Sequence, residues 1–309
     1  MPTASSELEL RLAPMAGVTN APFRVVAREC GAGLLTSEEI DARALIADNA
    51  HTCEIARHLP EERPLAMQLL GADPDVLAEA VRRLEAAGAD AIDLNMGCPV
   101  AKIVAKGQGA AIMRDPWRAA VILRAMRKAI TVPLTIKMRG GWDDHTLNAV
   151  EIARLAEDEG VNAITVHPRT RSQQFSGRAP WDIIGEVVAA VGIPVTGNGD
   201  VRSHDEAGAM RRATGCAAVM IGRGALGAPW VFRAAPPTDE DRAHIIRRHA
   251  SLIQEHLPER AALLQLKKHL AWYSGGRPFG ARLRPALFAA SSAESVQALF
   301  WRHWHDGAA

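Results

Sequence analysis

Three side chains of types that do chemistry stand at or next to the ends of short apolar runs. They are Cys98 in Asn95-Met96-Gly97-Cys98-Pro99, Lys137 in Thr135-Ile136-Lys137-Met138, and His167 in Ile164-Thr165-Val166-His167. A lone cysteine can be an acid or nucleophile, or an inert buried hydrophobe. The loop around Cys98, fixed by Gly97 and Pro99 directly after an apolar run, favours the first reading. Cys30, Cys53 and Cys216 stand in helical or pre-strand contexts and keep the inert one. None of the four cysteines forms a CxxC pair, so neither a disulfide framework nor a zinc site is signalled, and no metal is expected. A lysine on a packed strand must reach an opening or an anion. His167 reads equally well as a hydrogen-bonded strand-end residue and as a ligand contact. Arg139, Arg169 and Arg171 flank the same run ends, either to bind phosphates or as solvated loop cations.

Two glycine loops carry a second kind of chemistry. Gly197-Asn198-Gly199-Asp200 and Gly222-Arg223-Gly224-Ala225 each follow an apolar run late in the chain. Backbone amides in such loops can approach a phosphate closely, and Arg223 adds charge. One GxG alone would read as a tight turn. Two in succession, without a GxGxxG, favour a mononucleotide over a dinucleotide.

These residues need a scaffold that brings them together. Strands are predicted at Leu10–Pro14, Gly33–Ser37, Leu65–Leu69, Ala91–Asn95, Leu134–Met138, Ala163–His167, Pro194–Asn198 and Ala218–Ile221, with helical patterns between them. Eight such units predict an α/β fold, a (β/α)8 TIM barrel, rather than an open doubly wound sheet. In a barrel, function gathers at the C-terminal ends of the strands, which here are Met15, Glu38, Gln68, Asn95, Lys137, His167, Asn198 and Gly222. After Pro236-Pro237 the pattern predicts helices at Asp239–His256, Ala261–Trp272 and Ala293–Trp304 and no strand. The expected organisation is therefore a barrel over 1–236 and a small all-helical domain over 237–309.

The 309 residues, 48% hydrophobic and 23% charged, exclude disorder as the main state. The first residues carry no signal-peptide pattern and no window suits a membrane span, so a cytoplasmic chain without membrane contact is expected. The net charge of +1 divides unevenly: residues 237–309 hold ten Lys/Arg against seven Asp/Glu, the remainder 26 against 28. A basic tail on a neutral body suggests a polyanionic partner. No protein partner is signalled, and a monomer is expected.

Taken together, Ala13-Pro14-Met15-Ala16-Gly17-Val18-Thr19-Asn20, Met67-Gln68-Leu69-Leu70-Gly71, Asp93-Leu94-Asn95-Met96-Gly97-Cys98-Pro99, Ile136-Lys137-Met138-Arg139, Val166-His167, Asn198-Gly199-Asp200 and Ile221-Gly222-Arg223 resemble the tRNA-dihydrouridine synthases, most closely the bacterial DusB-like branch. Leu266-Lys267-Lys268-His269-Leu270-Ala271-Trp272-Tyr273 is similar to that branch's RNA-binding helices. The resemblance implies FMN-dependent reduction of a uridine C5=C6 bond in tRNA, with NADPH or NADH as electron donor. It further implies that Pro14, Met15, Ala16, Gln68, Lys137 and His167 contact the flavin, and that Asn198, Gly199, Asp200, Gly222 and Arg223 hold its phosphate. By the same resemblance Cys98 is the proton donor to C5, while Asn95, Arg139, Arg169, Arg171, Phe175, Lys267 and Lys268 bind substrate. A thiol with an ordinary pKa near ~8.5 arrives protonated at neutral pH, as that role requires.

The chain departs from the family pattern in three places: Pro168 follows His167 where glycine is common, Phe175 stands for a tyrosine, and Ala101-Lys102-Ile103 replaces a more basic pair. Two other readings compete. One is a dihydroorotate- or dihydropyrimidine-dehydrogenase-like barrel, against which the helical tail argues. The other is a non-catalytic RNA-binding regulator, disfavoured because every chemical position is intact.

Overall fold

The computed structural model describes residues 8–306. Among the described residues there are nine parallel strands: β1 (Glu9–Leu12), β2 (Leu35–Thr36), β3 (Ile40–Asp41), β4 (Leu65–Leu70), β5 (Ala91–Met96), β6 (Leu134–Arg139), β7 (Ala163–His167), β8 (Val195–Asn198) and β9 (Ala218–Ile221). Because β1 pairs with both β2 and β9, and β2 pairs with β4, eight of them close into the expected (β/α)8 barrel. The ninth, β3, is a short extension on the upper end of β4, pairing Ile40 with Leu69 and Asp41 with Leu70. The strand expected over Gly33–Ser37 contracts to Leu35–Thr36, and the chain then turns so that Glu38 and Glu39 lie between β2 and β3.

Register explains how the chemistry is stacked. Gln68 is level with Asp93, and Asp93 with Thr135; the next inward-facing level pairs Asn95 with Lys137 and Lys137 with Thr165; above that Arg139 is level with His167. Side chains two residues apart on a strand share a face, so these polar residues rise in layers toward the C-terminal rim. The alternate positions, Leu94, Ile136, Met138, Ile164 and Val166 among them, are fully buried apolar residues of the main core.

Four helices form the tail: Asp239–His256, Glu259–Tyr273, Gly280–Ala289 and Ala293–Asp306. Three match the expected spans to within a few residues. The fourth, Gly280–Ala289, lies outside the three expected helices and forms although Pro285 stands inside it. A second apolar cluster, including Ile246, Leu266, Leu283 and Phe300, holds these helices together. Ile245 and Leu252 of the first tail helix instead join the main core, so the tail is packed onto the barrel wall. Among the described residues no helix is long and apolar enough to cross a membrane.

Candidate active site at the barrel mouth

A cavity of about 620 Å³ opens at the C-terminal rim, within the usual size range for a cofactor or small-molecule site. Pro14, Met15, Ala16, Gln68, Asn95, Cys98, Lys137, Arg139, His167, Phe175, Asn198, Gly199, Asp200, Gly222 and Arg223 all line it. A groove of about 680 Å³ on the outer wall, lined by Asn148, Glu151, Arg154 and Glu186 among others, contains none of these groups.

The floor is a hydrogen-bonded relay across three strands. The Thr135 hydroxyl donates to Asp93 (2.6 Å), the Gln68 amide donates to the same carboxylate (2.7 Å), and the Asn95 amide donates to Gln68 Oε1 (3.0 Å). Burial pushes the Asp93 carboxyl above its ordinary range, opposed by these two hydrogen bonds and by the charge of Lys137. Asn95 Nδ2 also reaches Glu39 Oε2 at 3.1 Å, while Asn95 Oδ1 accepts from the backbone amides of Gly97 (3.0 Å) and Cys98 (2.9 Å). The Asn95 side chain therefore shapes the Cys98 loop.

That loop is braced from beneath by Gly109, where φ is +60° and a Cβ would lie 2.7 Å from the Cys98 carbonyl oxygen, so only glycine fits. The Cys98 thiol is half-buried, and its pKa rises to about 11, first through desolvation and then through the nearby charge of Glu39. It is a fully protonated thiol at neutral pH.

Lys137 is enclosed by protein except where it faces the cavity, and its amine donates to Asn198 Oδ1 at 3.0 Å. Desolvation and the Arg139 charge lower its pKa to about 8, which leaves it mostly cationic at neutral pH. Asn198 is held in turn by its donation to the Met220 carbonyl (2.8 Å). His167 is kept neutral, its pKa driven far down by burial and by Lys137, Arg139, Arg169 and Arg223 around it. Its Nδ1 accepts a long 3.4 Å contact from the Arg169 amide, which leaves Nε2 to carry the proton.

The arginines divide. Arg139 lines the cavity, but its guanidinium is bound to the carbonyls of Gly97 (2.7 Å), Thr170 (2.8 Å) and Gln174 (2.9 Å). Arg169, expected at the substrate, does not line the cavity. It is 1% exposed and bonds to the carbonyls of Ser176 and Gly177 and to Asp200 (2.6 Å), tying the loop after β7 to the loop after β8. Arg171 also lies outside the cavity, its guanidinium 4.9 Å from the ring centre of Trp142. Arg223 is half-exposed, 3.5 Å from Asp200 and 4.5 Å over the Phe175 ring. Phe175, 52% exposed, has the Arg139 guanidinium 5.6 Å from its centre as well. Burial would raise the Asp200 carboxyl, but the Arg169 hydrogen bond, the Ala179 amide and the two cations outweigh it and keep Asp200 ionised. The two glycine loops touch at Gly224, where a Cβ would lie 2.4 Å from the Val201 carbonyl.

Of the two tail lysines, one is joined to the barrel and the other stays within the tail. Lys268 Nζ donates to the Gly17 carbonyl in the loop after β1 (3.3 Å), beside Gln265 (3.2 Å), and Lys267 Nζ donates to the Phe288 carbonyl (2.9 Å). The residue that sequence reasoning missed is Glu39. The only signal for it was a pair of adjacent acids, Glu38-Glu39, after an apolar run.

A sequence model of the family described as dihydrouridine synthase matches residues 11–302. A probable tRNA-dihydrouridine synthase of Rickettsia bellii is 40% identical over 288 residues, covering 89% of this chain and 88% of that protein. A tRNA-dihydrouridine synthase B of Pseudomonas aeruginosa is 37% identical over 313 residues, 96% of this chain and 94% of the other. Among solved structures, a 2-naphthoyl-CoA reductase complex superposes with a TM-score of 0.56 at 12% identity, over 73% of this chain and 49% of that one, a likeness of fold alone.

Proposed function

This chain belongs to the dihydrouridine synthase family, and from that premise we propose that it reduces the C5=C6 bond of uridines in tRNA, with FMN as resident cofactor and NADPH or NADH as electron source. The observation that carries the reading is a protonated, desolvated thiol, Cys98, on the wall of a cavity whose other walls suit a flavin mononucleotide. That fit rests on the donor set. The Lys137 amine and the Gln68 amide line the cavity where they would meet a ring rich in nitrogen and carbonyl acceptors. The Asn198-Gly199 and Gly222-Arg223 loops offer amides and a cation to a phosphate.

When bound, FMN supplies the hydride that the reaction delivers to uracil C6. Lys137, mostly cationic at neutral pH, would hold the ring from the cavity wall and would favour its anionic form. Asp200, an ionised carboxylate, repels a phosphate; its part is to hold Arg223 and Arg169 in place. Cys98 donates its proton to C5, forming a C–H bond as the S–H bond breaks, and Asn95 keeps the thiol where that transfer is possible. Phe175, flanked by Arg139 and Arg223, gives the mouth an aromatic and cationic edge suited to a base swung out of folded tRNA.

The cofactor half of this reading is tested by denaturing the purified, unsupplemented protein and identifying the released chromophore. FMN near one equivalent is expected. A colourless protein that also fails to take up added FMN contradicts it.

A further inference from the structure

Cys98 can give up its proton once, and nothing in the proton transfer itself restores it. We propose that Glu39 is the residue that reprotonates Cys98 between turnovers, passing a proton from its carboxyl group to the thiolate. The inference rests on the family reading of the reaction above, and its geometric basis is independent of any bound group.

The placement is specific. Glu39 lines the same cavity as Cys98, and the two are close enough for each to shift the other's ionisation. Asn95 Nδ2 fixes the other side of the contact, donating to Glu39 Oε2 at 3.1 Å while Asn95 Oδ1 holds the Cys98 amide at 2.9 Å. One side chain thus ties the Cys98 backbone and the Glu39 carboxylate together. The chain reaches this point because β3 pins Ile40 against Leu69 immediately after Glu39.

The surroundings suit a proton donor. Desolvation raises the Glu39 carboxyl above its ordinary range; the Cys98 thiol opposes it, and the charges of Glu38 and Asp41 add to it. The acceptor is the stronger base, because a thiolate is ordinarily more basic than a carboxylate and the Cys98 pKa is raised further, to about 11. The transfer balances simply: the Glu39 O–H bond breaks, the Cys98 S–H bond forms, and the carboxylate takes one proton from solvent, the proton that each uridine reduction consumes. No electron moves in this step. Of the other charged groups near the thiol, Arg139 is spent on three backbone carbonyls, and the Lys137 amine is committed to Asn198 Oδ1 at 3.0 Å.

The test compares FMN-loaded wild type, Glu39→Gln and Glu39→Asp on unmodified tRNA with NADPH, counting dihydrouridine in the first turnover and in steady state between about pH 6 and 9. In Glu39→Gln the steady-state rate should fall relative to the first turnover by about tenfold or more, and Glu39→Asp should recover part of it. The ratio should fall with rising pH in wild type and lose that dependence in Glu39→Gln. Separately, iodoacetamide labelling of Cys98 without tRNA should be several-fold faster in Glu39→Gln, because a negative neighbour is gone. A wild-type ratio that is flat with pH, or Glu39→Gln labelling and turnover ratios equal to wild type, overturns the assignment. Wild type that makes no dihydrouridine at all overturns the family reading instead, an outcome that the labelling arm keeps separate.

Discussion

Asn95→Ala separates two roles for this residue. If Asn95 binds the uracil, its removal acts only when tRNA is present. The structure instead commits its oxygen to the Gly97 and Cys98 amides, and its nitrogen to Gln68 and Glu39. Each backbone amide left without an acceptor costs about 1–3 kcal/mol, toward the lower end here because cavity water can partly replace Oδ1. Two amides together therefore cost about 2–4 kcal/mol, and at about 2–4 °C per kcal/mol for a large domain the melting temperature of the tRNA-free protein should fall by roughly 4–16 °C. Cys98 should also become easier to alkylate as its loop loosens, and dihydrouridine formation should drop by about 100-fold through kcat. Asn95→Asp, which keeps an acceptor for the two amides but sets a second carboxylate against Glu39, should fall between the two. Thermal melts, labelling and kinetics on the same preparations check all of this. An Asn95→Ala protein with wild-type melting and labelling, impaired only in KM for tRNA, refutes the argument and returns Asn95 to the base.

Arg282 and Arg284 are exposed on the tail, whereas Lys267 and Lys268 are engaged with the Phe288 and Gly17 carbonyls. Reversing both arginines to Glu should weaken tRNA binding and lower the log–log salt slope by about 1.5–2, more than the same reversal of the two lysines; gel-shift titrations at several salt concentrations compare them. At the tail–barrel junction, His249 and His269 are buried, their rings 4.4 Å apart, with His249 bonded to Tyr273 at 2.9 Å. Burial lowers His249 to about 3 and holds His269 well below its ordinary value, so the folded state stays neutral while the unfolded chain takes up protons below about pH 6.5. Stability is thus intact above that pH and lost as pH falls, by about 2 kcal/mol per ring at pH 5, and urea unfolding of wild type should show a larger acid loss than the His249→Gln, His269→Gln double variant.

Much of this site was legible because a barrel places strand ends on one rim, so reading only those ends already collected Gln68, Asn95, Lys137, His167 and Asn198. Spacing also carried the two glycine loops. What spacing could not carry is which way a rim side chain is spent. Arg169 and Arg171 have the charge to bind phosphate, but whether a guanidinium faces a ligand or closes a loop depends on carbonyls supplied by Ser176, Gly177 and the ring of Trp142, contacts that arise only after folding. Glu39 was hidden for a related reason: its place beside Cys98 follows from a two-residue strand too short to leave a periodic signal. The helix Gly280–Ala289 forms across Pro285, a local preference overruled by the packing of Leu283 and Leu287.

The central claim, that Cys98 is the acid of a uridine reduction, is tested most directly by nucleoside mass spectrometry of unmodified tRNA incubated with NADPH and either FMN-loaded wild type or Cys98→Ala. Wild type should convert uridine to dihydrouridine. Cys98→Ala should keep its FMN and the reduction of that FMN by NADPH, but lose dihydrouridine formation by about 100-fold or more. Dihydrouridine made by Cys98→Ala at the wild-type rate would contradict the account.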